Sequence, residues 1–232
     1  MYPEYLLNND TQEMNDRVRE LATLNEPLLR THCQEVSCQT GTSSLAVKEE
    51  CLSKAGAASA VLEKMKTVLN TLSQSISRTA GVFGVKNGQE LFFEVCRAIV
   101  QIEEERQRLL VVVASLSQTR RKIASCVAET NQALHFLSLA KGAVSINLQV
   151  HYTECTKNAE RAYESLKRAD VALAELQNFY MTFIESHFSA FMERLRDLAD
   201  LNHSGENLNG AQICALCREF LILQDRVPNV VF

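Results

Sequence analysis

Two close pairs of cysteines are the residues whose type and spacing come nearest to chemistry. Cys214 and Cys217 form a CxxC, and Cys33 and Cys38 follow His32 with four residues between them. Thiolates in such pairs bind zinc or exchange disulfides. A four-cysteine zinc site would require the two ends of the chain to meet, because one CxxC supplies only two ligands. Cys214 and Cys217 also fit one apolar helix face, and we therefore predict buried thiols and no metal site.

Other patterns of catalytic residues are weaker. His151 and Cys155 lie one helical turn apart, but two ligands do not make a site, and Cys155 also belongs to an apolar stripe. The sequence has no HExxH, no glutamate three residues before a histidine as helical di-iron sites need, no glycine-rich phosphate loop and no nucleophile elbow. We predict a protein that is not an enzyme, with no catalytic residues, no cofactor and no small-molecule substrate.

The composition favours long helices over any sheet-based fold. The chain has 232 residues, 46% of them hydrophobic, with only 8 glycines and 3 prolines. So few turn formers cannot supply the frequent turns of a sandwich, barrel or doubly wound sheet, and the hydrophobic content is too high for disorder. No apolar run approaches the roughly 20 residues that span a bilayer, and the N-terminus lacks a secretory signal. We therefore expect a cytoplasmic protein with reduced cysteines.

Few breaks separate the helices. We predict helices over 10–26, 44–79, 88–140, 143–201 and 210–226, within one elongated domain of 1–232. Pro27 ends the first helix, a polar linker covers 37–44, and a loop covers 80–88. Candidate N-terminal caps are Ser44, Asn87 and Asn209. Lys141 and Gly142 are predicted to form a hairpin turn, with one continuous helix of over a hundred residues as the alternative.

Apolar residues recur at heptad spacing along the two longest helices. One seam runs from Phe92 to Leu137, and a second runs from Leu148 to Phe183 before shifting by one position to Ile184. A seam sustained over many heptads predicts a coiled coil or antiparallel bundle, and the shift predicts a local change of supercoil. The helix of 44–79 offers a shorter seam: Leu62, Met65, Leu69, Leu72 and Ile76.

The size of the side chains changes along the second seam. Alanines at 159, 162 and 169 permit close packing of helices, whereas Tyr180, Phe183, Phe188 and Phe191 require a wider bundle. We therefore expect further helices, such as the terminal ones, to pack at the aromatic end.

The charges are distributed unevenly. The formal net charge is −5 over 1–50, +5 over 51–150 and −4 over 151–232. The central excess includes Arg106, Arg108, Arg120, Arg121 and Lys122. These cations form either a face for an anionic surface or, as we favour, the complement of acidic groups on neighbouring helices. Arg106 and Arg120 lie on the seam itself, so each must find a carboxylate or extend to solvent.

The segment 131–150 has two interpretations. It is moderately apolar and would form the tip of the hairpin, which is where helical pore-forming proteins carry an inserting element. Its asparagines, glutamines, histidine and lysine make it a poor inserting segment, so we favour a packed or dimerising tip.

These features predict an all-α fold: an elongated antiparallel helical bundle or coiled coil with a long helical hairpin at its centre. This class favours a non-enzymatic scaffold or subunit of a larger intracellular assembly, whose partners are other protein subunits or a second copy bound through helix faces. The alternatives are a protein that binds or remodels an anionic membrane surface and, with less support, a helical pore former. Nucleic acid is not an expected partner, because the basic residues are not interleaved with aromatic ones.

Overall fold

The computed structural model describes residues 12–13, 16–17, 26–81, 88–143, 149–203 and 210–228. The regular structure in this part of the chain is entirely helical. The α-helices are α1 (Glu26–Gly81), α2 (Gly88–Ala143), α3 (Gln149–Thr182), α4 (Ser189–His203) and α5 (Gly210–Gln224). A six-residue π-helical turn, Phe183–Phe188, joins α3 to α4. The predicted all-α class is confirmed.

Two predictions about the segment that forms the first half of α1 are wrong. Pro27 does not end a helix but lies in the first turn of α1, where a missing backbone N–H costs nothing. The predicted linker over 37–44 is also helical, and Ser44 is a buried interior residue rather than a cap. The hydroxyl of Thr40 donates to the carbonyl oxygen of Ser37 at 2.9 Å, which satisfies a polar group inside the helix. Of the predicted helix over 10–26, residues 12–13, 16–17 and 26 are described, and they are helical.

The other helix boundaries lie within a few residues of their predicted positions, with two differences. Lys141 and Gly142 belong to the last turn of α2, so the connection begins after Ala143 rather than at the glycine. The predicted helix of 143–201 is α3, the π-helical turn and α4 in succession. Asn87, Asn209 and Leu148 lie outside the described residues.

Contacts divide the chain into two compact units, and α1, α2 and α3 each contribute to both. The first unit consists of Met1–Cys51, Thr119–Val171 and Phe232, and the second of Leu52–Gln118 and Ala172–Val231. The single elongated domain stays a prediction.

Helices α1 and α3 run parallel in the first unit and are joined by serine hydroxyls. The hydroxyl of Ser37 donates to the carbonyl oxygen of Cys155 at 3.3 Å, and that of Ser44 donates to the carbonyl oxygen of Ala162 at 3.5 Å. Small side chains permit this backbone approach, as the alanine positions of the seam predicted. The core of the unit is Cys33, Phe136, Leu137, Tyr152, Cys155 and Ala159.

Helix α2 packs antiparallel to α3. In the first unit Tyr152 near the start of α3 meets Leu137 near the end of α2, and Asp170 further along α3 pairs with Arg120 at 2.9 Å. In the second unit Gln177 donates to the hydroxyl of Ser117 at 2.8 Å. The residues meet in reverse order along the two helices, which confirms the predicted hairpin and excludes one continuous helix.

Helix α5 packs into the second unit at the place where the seam becomes aromatic. The Phe220 ring lies 4.2 Å from that of Phe191, 5.1 Å from that of Phe183 and 6.0 Å from that of Phe188, measured between centroids. Near the C-terminal end of α5, Asp225 forms a salt bridge of 2.9 Å with Lys66 of α1. The prediction that a terminal helix packs at the aromatic end is confirmed.

The predicted seams are the buried faces of the helices. Every predicted seam position from Tyr152 on α3 to Phe183 in the π-helical turn is buried. The predicted one-position shift coincides with the π-helical turn, in which Phe183 and Ile184 are both buried. A π-helical turn holds one residue more than the α-helical turn it replaces, so it carries the stripe from one register to the next.

Candidate protein-binding surface

The two close pairs of cysteines lie on different helices. Cys33 and Cys38 are on α1 in the first unit, and Cys214 and Cys217 are on α5 in the second. Within the described ranges, no group of three or more His, Cys, Asp or Glu side chains is arranged to hold a metal ion. The Sγ atom of Cys155 lies 3.8 Å from Nε2 of His151, so that pair meets but has no third ligand in this part of the chain.

The environments of the thiols differ sharply. All eight cysteines are free, and Cys38 is exposed while Cys33, Cys51 and Cys217 are buried. Burial raises the pKa of each of these three buried thiols to about 11, because the thiolate would lose its hydration. These cysteines act as small hydrophobic side chains in the core. The prediction of buried thiols is wrong for Cys38, which is exposed, and Cys96, Cys126 and Cys214 are only half-buried.

We expect a thiol-alkylating reagent to label Cys38 first in the folded protein. A buried thiol with a pKa of about 11 holds only about one thiolate in a thousand at pH 8, and the thiolate is the reactive form. Peptide mass spectrometry after brief exposure to iodoacetamide measures the order in which the cysteines are alkylated. Unfolded protein is the control, because all of its cysteines react. Labelling of Cys217 as fast as Cys38 in the folded protein would contradict the packing of α5.

Four of the five cations named above for the central segment form salt bridges with carboxylates. Arg120 pairs with Asp170 of α3 and Lys122 pairs with Glu50 of α1, each at 2.9 Å. Arg106 and Arg108 pair with the glutamates three residues earlier on α2, Glu103 at 2.6 Å and Glu105. For Arg120 and Lys122 the partners lie on neighbouring helices, in line with the favoured interpretation of the charge distribution.

The two seam arginines are half-buried and paired rather than extended to solvent alone. The Arg106 guanidinium lies 5.5 Å from the centroid of the Phe188 ring while it pairs with Glu103. This position combines a cation–π contact with an ion pair, which offsets part of the cost of placing a cation at the seam. Arg120 is held by Asp170 through its Nε atom.

The described part of the segment 131–150 packs into the first unit. Phe136 and Leu137 are buried, and Leu134 and Leu139 contact the same cluster. Residues 144–148 lie outside the described residues. None of the helices in the part of the chain that the structure describes combines the length and apolar content needed to cross a bilayer.

The most prominent unassigned surface is a row of side chains on α2, within the second unit. Phe93, Val100 and Val111 are large apolar residues that are 64%, 58% and 70% exposed. At 100° per residue they lie within about 20° of one another, along roughly 27 Å of the helix. Arg97 and Glu104 lie between them on the same face and are also exposed. We call these five residues the α2 stripe.

The α2 stripe lies opposite the seam that holds α2 in the bundle. In the heptad frame that starts at Phe92, its members occupy the outward positions. Scattered exposed hydrophobic residues are normal on a protein surface, but three on one narrow arc form the kind of anchor row that helices present to partners. Sequence reasoning missed it, because we followed only the inward positions. The same periodicity, applied to the outward positions, shows Phe93, Val100 and Val111 as one row but does not show whether the folded chain covers that row.

Two grooves lie between α1 and α2. One, in the second unit, has a volume of about 360 Å³, and Arg97 of the α2 stripe forms part of its wall beside Leu72 and Ala98. The other, in the first unit, measures about 660 Å³ and is lined by residues that include His32, Thr40 and Phe136.

The described residues therefore offer two contact surfaces on α2: an apolar row with two charges, and a groove whose wall includes Arg97 of that row. Comparisons of the chain with models of protein families, with curated protein sequences and with solved structures found no match.

Proposed function

We propose that this chain is a non-enzymatic helical scaffold, a subunit of a larger cytoplasmic assembly that it joins through its helix faces. The observation that carries the proposal is the α2 stripe, whose three large apolar side chains are more than half exposed. Helix-to-helix docking through residues spaced by whole numbers of turns is a common mode of protein recognition.

The energetics of the α2 stripe suit a docking surface. Full burial of a valine or phenylalanine side chain stabilises by about 1.5–3 kcal/mol, so covering what is still exposed here would contribute roughly 1–2 kcal/mol per residue. Association costs at least about 4 kcal/mol in lost freedom of motion. The three apolar residues alone would thus give weak binding, and the flanking charges and the adjoining groove would have to add affinity and orientation.

An anionic membrane surface has less support as a partner. The cations that suggested it are largely neutralised, since Arg106, Arg108, Arg120 and Lys122 each pair with a carboxylate. Pairing of this kind leaves little positive potential for lipid headgroups to meet.

The experiment is purification of the tagged chain from its native cell at moderate salt, followed by mass spectrometry of stoichiometric partners. Val100→Glu places a charge in the middle of the α2 stripe and should reduce recovery of the partners at least about tenfold. Ile222→Glu is the matched control, because Ile222 is an exposed apolar residue of the same unit that lies on α5.

Three outcomes would count against the proposal. Recovery of the chain alone, or with lipid only, would refute a subunit role. Equal loss of partners from Val100→Glu and Ile222→Glu would show that the loss is not specific to the α2 stripe. Full retention by Val100→Glu would remove the α2 stripe as the contact surface.

A further inference from the structure

The residues of the α2 stripe are arranged so that the stripe complements itself. Phe93 and Val111 lie at its two ends, Val100 lies near the middle, and Arg97 and Glu104 flank the middle with opposite charges. The midpoint between Phe93 and Val111 falls at residue 102, and the midpoint between Arg97 and Glu104 falls between residues 100 and 101. The apolar pair and the charged pair therefore share nearly the same centre.

A two-fold axis through that centre would bring unlike partners together. Two copies of α2 packed antiparallel place Phe93 of each copy within one turn of Val111 of the other. They also place Arg97 within one turn of Glu104 of the other copy. A parallel pair would instead set arginine against arginine and glutamate against glutamate, which is repulsive. A contact in which the same patch serves both partners is the usual arrangement in homodimers.

The two charges are available for such a contact. Arg97 and Glu104 are exposed, and neither has a hydrogen-bond or ion-pair partner within the described part of the chain. This sets them apart from their neighbours Glu103, Glu105, Arg106 and Arg108, which all form salt bridges.

We propose that the α2 stripe is the contact between two copies of this chain, packed antiparallel about a two-fold axis near residues 101–102. The inference rests on the proposed function, since it names a second copy as the partner of that surface. A helix of a different protein is the competing occupant, and the experiment separates the two. About five turns of helix per copy make a small interface, so the dimer should dissociate on dilution.

The test uses the purified full chain and single charge reversals. Sedimentation equilibrium of the wild type should show a mass that rises with concentration toward twice the 26.0 kDa of one chain. Arg97→Glu should weaken self-association at least about tenfold, because the introduced carboxylate then faces Glu104 of the second copy; Glu104→Arg should do the same with two arginines. Circular dichroism verifies that each variant keeps its helical content.

A mixture of the two variants gives the sharpest readout. Arg97→Glu and Glu104→Arg each repel their own kind but complement one another, so the mixture should regain the wild-type mass. The double variant Arg97→Glu/Glu104→Arg should also dimerise in an antiparallel contact. Arg218→Glu is the matched control, since Arg218 is an exposed arginine of the same unit on α5.

The failures are distinguishable from those of the proposed function. A wild-type chain that stays monomeric, or a dimer that both single reversals leave intact, overturns the second copy as occupant. If the chain is monomeric yet loses its cellular partners in Val100→Glu, the scaffold role stands with a different protein on the α2 stripe. A monomer whose cellular partners are unaffected by Val100→Glu overturns both roles for this surface.

Discussion

Replacement of Phe220 with alanine should lower the free energy of unfolding by about 3–5 kcal/mol, the range for large aromatic residues truncated in a packed core. The Phe220 ring is 1% exposed and lies against the rings of Phe183, Phe188 and Phe191. Its removal deletes the largest apolar anchor of α5, a helix of 15 residues that is too short to be stable alone. Urea denaturation followed by circular dichroism measures the change, and the melting temperature should fall by about 10 °C.

Ile222→Ala is the control for this experiment. It truncates an apolar side chain of the same helix, but Ile222 is 53% exposed, so the cost should be below about 1 kcal/mol. If Phe220→Ala and Ile222→Ala destabilise the protein equally, the aromatic cluster is not the anchor of α5.

Replacement of Ala159 with leucine should destabilise the first unit by about 1–3 kcal/mol or more. Ala159 is fully buried on α3, between Cys155 and Ala162, whose carbonyl oxygens accept hydrogen bonds from Ser37 and Ser44. Three additional carbons at this point would push α1 and α3 apart and break the serine contacts. Leucine is a good helix former, so the loss would come from packing and not from helix propensity.

Thermal unfolding of Ala159→Leu and Ala128→Leu separates these two causes. Ala128 is an exposed alanine of α2 in the same unit, and leucine there should change the melting temperature little. A similar loss in both variants would contradict the close approach of α1 and α3.

The faces of α2 and α3 were predictable because the spacing of their apolar residues is strict over many turns. The alanines of α3 and the phenylalanines around the π-helical turn also predicted which part of the bundle is narrow and which admits another helix. Both inferences needed only side-chain size and a period of 3.5 residues, which are local properties of the sequence.

The same reasoning failed for 37–44, because hydroxyl side chains were counted as turn formers. In the structure, Ser37, Thr40 and Ser44 continue the spacing of three and four residues that links Cys33 to Val47 and Cys51. Small hydroxyl groups can occupy a helix interface when a carbonyl oxygen is within reach, as those of Cys155 and Ala162 are. Heptad spacing was the stronger signal in this segment, and composition was the weaker one.

The α2 stripe could not be assigned from sequence, because the position of a residue in the heptad frame does not show whether another part of the chain covers it. The exposed fractions in the folded chain supply that distinction: Val95 and Ile102 are covered within the chain, whereas Phe93 and Val100 are not. Locating the stripe required the folded chain, although its periodicity was visible beforehand.

The π-helical turn at Phe183–Phe188 marks the place where this part of the chain can change its length by one residue. The wider turn absorbs one residue more than an α-helical turn, so the helices on either side of it keep their buried faces. Loss of one codon inside the turn would restore an ordinary α-helical turn, and Phe188, Phe191 and Leu195 would then continue the heptad spacing of Tyr180 and Phe183. Loss of one codon elsewhere in α3 or α4 would instead rotate every following residue by about 100° away from the core. Single-residue deletions should therefore be tolerated in this turn and selected against in the helices that flank it.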